Sequence, residues 1–379
     1  MKRCLFLLLL AAAFAACSQP AEKPRRQSLE WFETLQSPEI HPNGDVTFRL
    51  FAPQAGEVLL SSQFGPTVPM LWDDDEQLWK VTLHPETADI YPYNFVVDGQ
   101  AVSDPNNREI FPNELFKGSL LILPDPEMLY TERDIPHGTV HYVTYRSSVL
   151  GEHRTLLVYT PAEYDAGVNA RKRYPVLYLV SGTTDTEETW YKAGRTNFIL
   201  DNLIHDGLAE PMIVVMPYGN MNTGNPRPSS DEATRCYEVF AREMEQCVMP
   251  LVESRYRIRT DRESRAIAGF SRGGGEALFT AFAMPDRFAS VCAYSAYLTD
   301  KVYEEHFGAL VGDPEAMNRR YRLIWFGVGS DDFLLEGVQG NEAFFRERGI
   351  RFEQFDTTGG HTWMNARKFL GITAQKLFK

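Results

Sequence analysis

The 379-residue sequence has little clustered positive charge. Its 51 Asp and Glu residues outnumber its 38 Lys and Arg residues, which gives a formal net charge of −13 at pH 7. Proteins that bind nucleic acids hold the phosphate backbone with clustered Lys and Arg side chains, so we expect no nucleic-acid partner. After residue 17 the sequence also lacks an apolar run of about 20 residues, and no membrane-spanning helix is predicted.

Cysteine is scarce, with five in the whole chain. Cys4 and Cys17 lie in an apolar N-terminal segment, which leaves Cys236, Cys247 and Cys292 in the body of the chain. Cys236 and Cys247 share or flank one predicted helix, and a rise of about 1.5 Å per residue separates them too widely for a disulfide. We therefore expect three buried thiols, no disulfide framework, no metal-ligand spacing and no cofactor.

The N-terminus is typical of a bacterial export signal. Lys2 and Arg3 precede an apolar stretch over 4–16, which is too short to span a bilayer. It ends in Phe-Ala-Ala-Cys at 14–17, which resembles a lipobox and implies lipidation of Cys17. A plain secretory signal with an incidental cysteine is the alternative. We expect 1–17 to be the signal with its lipobox Cys17, 18–36 a tether, and the protein to be lipid-anchored in a bacterial cell envelope, in the periplasm or at the outer-membrane surface.

Residues 37–124 have the pattern of a small β domain. Short segments that alternate apolar and polar residues cover 46–51, 78–83 and 91–97, and the last is followed by an Asp-Gly turn. Regularly spaced strands without a helical pattern predict a β-sandwich. Prolines at 124 and 126 mark its end, and we expect a linker over 125–137.

The remainder, 138–379, predicts an α/β domain with a mostly parallel sheet. Two strands over 140–149 and 154–160 come first, and continuous apolar runs then indicate strands buried on both faces. Four such runs cover 175–180, 212–216, 265–269 and 323–328, and a fifth strand is predicted over 351–355. Helices are predicted between them over 197–206, 237–256 (interrupted by Pro250), 276–283 and 342–348.

Ser271 has the sequence context of a nucleophile. It lies in Gly-Phe-Ser-Arg-Gly-Gly-Gly at 269–275, after a buried strand and before an apolar helix. A G-x-S-x-G turn in this context is a nucleophile elbow, in which small residues allow a strained turn and the helix N-terminus favours negative charge. A glycine-rich turn with a serine of no special role is the alternative, and the partners that follow along the chain argue against it.

A serine nucleophile needs a base and an acid, which in this fold follow it in the order acid, then histidine. His361 lies in Gly-Gly-His-Thr-Trp after the last predicted strand, whereas His306 lies in a charged helical stretch expected at the surface. The acid should follow the strand over 323–328, where Asp331 and Asp332 are both candidates. Two other aspartates, at 300 and 356, do not follow a strand end in the required order.

Together these motifs resemble the esterase D-like α/β-hydrolases, and most closely the feruloyl and acetyl-xylan esterases of carbohydrate esterase family 1. The apolar strand ending in Ser-Gly at 181–182, Trp190 and the segments 210–217 and 240–256 add to a resemblance that covers about 138–379. The N-terminal domain resembles the immunoglobulin-like early-set domains that precede such esterases. Its Trp72, Trp79 and Tyr91 either form a sugar-stacking platform or pack in the core or between the domains.

The resemblance implies an α/β-hydrolase with a Ser271–His361–Asp332 triad, since the fourth residue of the Gly-x-x-Asp turn is the acid in the family. It implies that the backbone amides of Thr183 and Arg272 form the oxyanion hole, although Ser-Gly-Thr here replaces the usual His-Gly-Gly. The Arg272 side chain either meets an anionic or sugar-bound group or folds against surface carboxylates.

We therefore predict a serine esterase that removes feruloyl or acetyl groups from plant polysaccharide or oligosaccharide, with an ester-bearing carbohydrate or small ester as its partner. Three alternatives stay open. They are an enterochelin-type siderophore esterase with a basic pocket supplied by Arg272 or Arg195, an acyltransferase, and a glycan-binding lipoprotein with an inactive hydrolase body.

Overall fold

The structure is a computed structural model that describes residues 35–221 and 229–379. The predicted signal over 1–17, with Cys17, and nearly all of the predicted tether over 18–36 lie outside the described residues. No helix of the described residues is long and apolar enough to cross a membrane.

Two antiparallel sheets form the N-terminal β domain, as its alternating segments predict. One sheet has the strand order β1-β2-β6-β5, and the other has β4-β3-β7-β10-β9 with β8 paired to β7. The inward faces bury a core that includes Val46, Phe48, Leu60, Tyr93 and Phe95. The strands are Glu39–Ile40 (β1), Val46–Leu50 (β2), Val58–Ser62 (β3), Gly65–Pro69 (β4), Leu71–Asp73 (β5), Leu78–Leu83 (β6), Ile90–Val97 (β7), Gln100–Val102 (β8), Ile110–Phe111 (β9) and Gly118–Ile122 (β10).

The Asp-Gly turn joins β7 to β8. Asp98 and Gly99 have φ values of 47° and 82°, and Val97 pairs directly with Gln100. Positive φ at both central residues is the requirement of a two-residue hairpin turn, which Asp-Gly meets at low cost.

An eight-stranded sheet forms the core of the second domain, with the order β11-β12-β14-β13-β15-β16-β17-β18. The first two strands are an antiparallel edge, and the six from β14 to β18 run parallel to one another. The predicted α/β class is therefore confirmed. The strands are Thr139–Arg146 (β11), His153–Thr160 (β12), Val176–Val180 (β13), Ile213–Pro217 (β14), Arg265–Phe270 (β15), Ser290–Tyr294 (β16), Leu323–Gly329 (β17) and Glu353–Thr357 (β18).

Helices cover the sheet on both faces, and each face has its own buried apolar cluster. The helices are Thr189–Lys192 (α1), Thr196–His205 (α2), Ser230–Glu243 (α3), Met249–Arg255 (α4), Arg272–Ala283 (α5), Asp300–Val311 (α6), Pro314–Arg320 (α7), Leu335–Glu347 (α8) and Trp363–Ala374 (α9). The strand order places the carboxyl ends of β13, β15, β17 and β18 along one edge of the sheet.

Two sequence-based expectations for this domain were incomplete. The strand β16 was not predicted, because Ser-Val-Cys-Ala-Tyr is short and its small residues give a weak apolar run. The helix expected over 237–256 starts earlier, at Ser230, where Ser229 and Glu232 form a capping box. The interruption expected at Pro250 is a π-helical turn over Met244–Val248, just ahead of the proline that lacks an N–H.

The three cysteines of the described chain are unpaired and buried, at 236, 247 and 292. Within the described ranges there is also no group of His, Cys, Asp and Glu side chains arranged to hold a metal ion.

Candidate active site

Ser271 forms a strained turn between β15 and α5. Its φ of 57° and ψ of −124° lie in a backbone region that non-glycine residues rarely occupy. The turn needs glycine at 269, since a Cβ there would lie 2.1 Å from the carbonyl oxygen of Gly273. The tight turn places the Ser271 side chain in the wall of a cavity at the carboxyl edge of the sheet.

Asp332 and His361 meet at the same edge, after β17 and β18. Both carboxylate oxygens of Asp332 lie 3.0 Å from Nδ1 of His361. The Asp332 side chain is fully buried, whereas the neighbouring Asp331 is exposed to solvent. Of the two candidate acids, the structure thus brings Asp332 to His361.

Two aromatic rings hold the imidazole of His361. The ring of Phe270 stacks on it with centroids 4.6 Å apart, and the ring of Phe333 lies 4.5 Å away on a tilt. Because Phe270 directly precedes Ser271, the stacking holds His361 beside the nucleophile turn. Since Asp332 occupies Nδ1, the nitrogen left to take up a proton is Nε2.

Asp332 is charged at neutral pH. Burial raises the pKa of its carboxyl, but the hydrogen bonds from His361 and from the backbone amide of Leu334 outweigh it, and the pKa lies below its usual value. The amide of Leu334 lies 2.9 Å from Oδ1 and fixes the orientation of the carboxylate. A charged acceptor at Nδ1 favours the tautomer whose Nε2 can act as a base.

Two backbone amides are available for an oxyanion. Thr183 follows β13, Arg272 begins α5, and both line the same cavity as Ser271. Among the described residues neither N–H has a hydrogen-bond acceptor, whereas the amide of Gly182, just before Thr183, donates to Asp185. The N-terminus of α5 adds a favourable field for negative charge at this point.

The Arg272 side chain folds back into the protein. It donates to the carbonyl oxygen of Gly182 at 3.2 Å and lies 3.5 Å from Glu276, whose side chain is fully buried. The expectation that Arg272 folds against surface carboxylates is therefore wrong in one respect, because its partner carboxyl is internal. Burial raises the pKa of Glu276 to about 8, against the opposing effect of Arg272.

The cavity in front of Ser271 has a volume of about 830 Å³, within the range of roughly 300–1,000 Å³ that is usual for small-molecule sites. Much of its wall is apolar or aromatic, from residues such as Tyr218, Met221, Tyr237, Tyr297, Leu298 and Phe333. The N-terminal β domain contributes Glu114 and Leu115 to the wall.

Other sequence candidates lie away from this site. His306 is in α6, 3.7 Å from Glu238, and is not part of the cavity wall. Arg195, considered as a source of positive charge, also lies outside the wall and is 3.5 Å from Glu109. Tyr91 is 3% exposed and belongs to the core of the β domain, so it forms no surface platform.

The other two candidate platform residues, Trp72 and Trp79, lie on the neighbouring strands β5 and β6. Their rings pack edge to face with centroids 5.9 Å apart, and the indole N–H of Trp79 donates to the carbonyl oxygen of Ala52. Both rings are half-buried.

Sequence reasoning missed three polar residues around the catalytic edge: Asn113, Asp185 and Glu276. Asp185 lies three residues after Gly182, a spacing typical of a side chain that closes a turn, and this was the one available signal. The other two depend on contacts distant in sequence or on helix burial, which no local pattern reports.

The fold is that of an α/β-hydrolase, and its candidate site combines a strained serine turn, a buried Asp–His pair and two backbone amides without acceptors among the described residues. The family model of the Esterase family matches residues 147–366, more than half of the chain, and the chain belongs to that family.

Individual relatives are named for esterase activities. The chain is 30% identical over 349 residues to the endo-1,4-beta-xylanase/feruloyl esterase of Xylanibacter ruminicola, with 90% of this chain aligned to 46% of that protein. Among solved structures, a ferulic acid esterase is 26% identical with a TM-score of 0.54, covering 64% of this chain and 98% of its own.

A second structural relative covers both domains. The enterobactin esterase FES of Shigella flexneri is 19% identical with a TM-score of 0.66, covering 93% of this chain and 98% of its own. At this identity the likeness concerns the fold. The chain spans about half the length of the curated xylanase/feruloyl esterase relative.

Proposed function

We propose that the protein hydrolyses esters through a Ser271–His361–Asp332 triad. Oγ of Ser271 attacks the ester carbonyl carbon while Nε2 of His361 takes its proton, and Asp332 stabilises the resulting imidazolium. The amides of Thr183 and Arg272 hold the carbonyl oxygen as it becomes negative.

The remaining steps reverse this proton transfer. His361 gives its proton to the departing alcohol oxygen as the ester C–O bond breaks, which leaves an acyl group on Ser271. Water then attacks the acyl carbon, His361 takes its proton, and the acid leaves as Ser271 recovers its hydrogen. The observation that carries this mechanism is the contact of the Asp332 carboxylate with Nδ1 of His361 beside the strained Ser271 turn.

We propose further that the substrate is a feruloyl or acetyl ester of a plant polysaccharide or oligosaccharide. The aromatic cavity wall suits a planar aromatic acyl group, and the feruloyl esterase relative aligns with 90% of this chain. Of the two arginines in the described part of the wall, Arg154 lies 2.9 Å from Glu152. Arg272 lies 3.5 Å from Glu276, whose carboxyl keeps its proton up to about pH 8 and so does not neutralise it at neutral pH.

An enterochelin-type siderophore esterase is the second candidate. The enterobactin esterase structure matches the chain across both of its domains, which favours it. Against it, an anionic catecholate substrate calls for several cations in the pocket. The described part of the cavity wall offers two arginines, of which Arg154 pairs with Glu152 and Arg272 donates to the carbonyl oxygen of Gly182.

We also propose that the protein is anchored to a bacterial cell envelope by lipid on Cys17. The support is the sequence 1–17, with its short positive region, apolar stretch and Phe-Ala-Ala-Cys ending. Expression in bacteria with an alkyne-tagged fatty acid should label the protein, and the variant Cys17→Ser should lose the label. An equal label on both would refute lipidation at this residue.

The substrate proposal is tested with the purified full-length protein and its Ser271→Ala variant. The panel is methyl ferulate, acetylated xylan, p-nitrophenyl acetate and enterobactin, and Ser254→Ala, an exposed serine on α4, is the matched control. We expect release of ferulate or acetate that requires Ser271 and exceeds enterobactin hydrolysis. Preference for enterobactin would support the siderophore esterase. Turnover by Ser271→Ala equal to that of the unaltered protein would refute the triad.

A further inference from the structure

A segment of the N-terminal β domain lies directly on the turn that carries the Thr183 amide. We call residues 112–116, between β9 and β10, the docking segment, and residues 181–185, after β13, the oxyanion loop. Asn113 and Asp185 form an isolated antiparallel bridge, and the amide of Glu114 donates to the carbonyl oxygen of Thr184 at 2.7 Å.

The carboxylate of Asp185 joins the two segments. Its Oδ1 accepts a hydrogen bond from Nδ2 of Asn113 at 2.9 Å, and its Oδ2 accepts one from the amide of Gly182 at 3.1 Å. Asp185 is 4% exposed, and burial raises the pKa of its carboxyl to about 7 while the bonds from Asn113 and Gly182 oppose that rise. A buried carboxyl of this kind needs both donors.

A flip of the Asn113 side-chain amide would break two hydrogen bonds. Its Oδ1 accepts hydrogen bonds from the amides of Leu115 at 3.0 Å and Phe116 at 2.9 Å. These bonds hold Nδ2 pointing at Asp185. The direction of the contact between the two domains is therefore fixed, with Asn113 as donor and Asp185 as acceptor.

The oxyanion loop in turn lies against the nucleophile. A Cβ on Gly182 would be 3.0 Å from Oδ2 of Asp185 and 3.4 Å from Cβ of Ser271. Gly182 is thus confined between the Asp185 carboxylate and Ser271, and its carbonyl oxygen, which belongs to the peptide with Thr183, accepts from the Asp185 amide at 3.3 Å and the Arg272 side chain at 3.2 Å. The orientation of that peptide sets the direction of the Thr183 N–H, which is the proposed oxyanion donor.

We propose that Asn113 is a positioning residue for ester hydrolysis, which acts through Asp185 to aim the Thr183 amide at the oxyanion. On this view the N-terminal β domain is part of the catalytic apparatus, since it holds one of the two oxyanion donors. The inference rests on the proposed function of the Thr183 amide and is independent of which acyl group the enzyme removes.

The test exchanges the two side chains in the full chain. The single variants N113D and D185N place two carboxylates, or two amide NH₂ groups, against each other. The double variant N113D/D185N restores one hydrogen bond with its direction reversed: the new carboxylate can still accept from Leu115 and Phe116, and the new amide oxygen can still accept from Gly182. The net charge of the double variant equals that of the unaltered protein.

Turnover of p-nitrophenyl acetate is the readout, together with thermal unfolding. Removal of an oxyanion donor costs about 10²–10³ in kcat, so we expect each single variant to lose roughly 10- to 100-fold in kcat with little change in KM. The double variant should recover to within about fivefold. If N113D does not fold, N113A should show the same loss in kcat.

The matched control is T189V. The Thr189 hydroxyl donates to the carbonyl oxygen of Pro112 at 2.6 Å and accepts from the amide of Thr186 at 3.0 Å. The substitution therefore removes two hydrogen bonds beside the same domain contact, and neither includes a residue of the oxyanion loop. It should lower the unfolding temperature and leave kcat unchanged. A positioning role is overturned if the single variants keep kcat within about twofold, or if the double variant regains stability without regaining kcat.

The outcomes separate this inference from the proposed substrate. If the protein cleaves p-nitrophenyl acetate but neither feruloyl nor acetyl-xylan esters, the substrate proposal fails and the Asn113 test stands. If it cleaves feruloyl esters and the single variants act normally, the inference fails and the substrate proposal stands.

Discussion

Replacement of Asp332 by Asn tests the candidate site more sharply than removal of the nucleophile. The substitution keeps the shape of the side chain and changes only its charge and one hydrogen-bonding atom. Oδ1 of Asp332 accepts from the amide of Leu334 at 2.9 Å, so the oxygen of the new amide will occupy that position. The NH₂ group then faces Nδ1 of His361.

The amide oxygen also lies 3.0 Å from Nδ1, but repulsion between the NH₂ group and a proton on Nδ1 favours the His361 tautomer with its proton on Nε2. With the proton moved to Nε2, the ring accepts at Nδ1 and has no lone pair left to take the proton of Ser271. In a protease triad the same change lowers kcat by about 10⁴, and we expect a fall of about 10³–10⁴ here. At about 1.36 kcal/mol per tenfold, this is about 4–5.5 kcal/mol in the activation free energy.

The assay is steady-state hydrolysis of p-nitrophenyl acetate near neutral pH, with kcat and KM determined separately. Asp331→Asn is the matched control, because Asp331 is the exposed neighbour that sequence analysis could not exclude. KM should change little, since the acid does not touch the substrate. A loss in D332N of less than tenfold, or an equal loss in D331N, would refute the assignment of Asp332.

Two further outcomes follow from buried and aromatic groups around the site. The folded state keeps the proton of Glu276 up to about pH 8, whereas the unfolded chain loses it near its ordinary pKa of 4.5. The free energy of unfolding therefore falls by about 1.4 kcal/mol per pH unit between those values for this one group. In urea denaturation between pH 5 and 7, the free energy of unfolding of E276Q should fall less steeply with pH than that of the unaltered protein, by that amount per pH unit. An unchanged pH dependence would contradict the burial argument. Phe333 is 76% exposed at the cavity and packs on His361, so F333A should raise KM for methyl ferulate several-fold more than for p-nitrophenyl acetate, and equal changes for the two esters would count against an aromatic acyl site.

Much of the site could be predicted from the sequence because its residues follow strand ends. A buried strand, a glycine-rich turn and a helix identify Ser271 locally, and the order of strands along the chain then selects His361. The order of the strands could not decide between Asp331 and Asp332, since both follow β17. What separates them is the direction in which each side chain leaves the turn, and this was available only from the resemblance or the structure.

Residues outside those strand ends could not be predicted. Glu276 lies in the first part of an apolar helix, and an acidic residue there is ordinarily expected at the surface. Its burial depends on the approach of Arg272 and on the space left by Gly219, where a Cβ would lie 2.7 Å from Oε2 of Glu276. Asn113 and Asp185 lie in different predicted domains, so their contact is a property of domain docking.

The same docking explains why the two domains are best regarded as one unit at the catalytic edge. Arg367 of α9 is 4% exposed, and it donates to the carbonyl oxygens of Ala193 at 2.5 Å and Ile90 at 3.1 Å and pairs with Asp89. A hydrolase domain without the β domain would leave Arg367 and Asp185 without partners they have in the folded protein. Unpaired buried charges are costly. The β domain therefore contributes to the stability of the folded protein beside the cavity, whether or not it also binds a glycan.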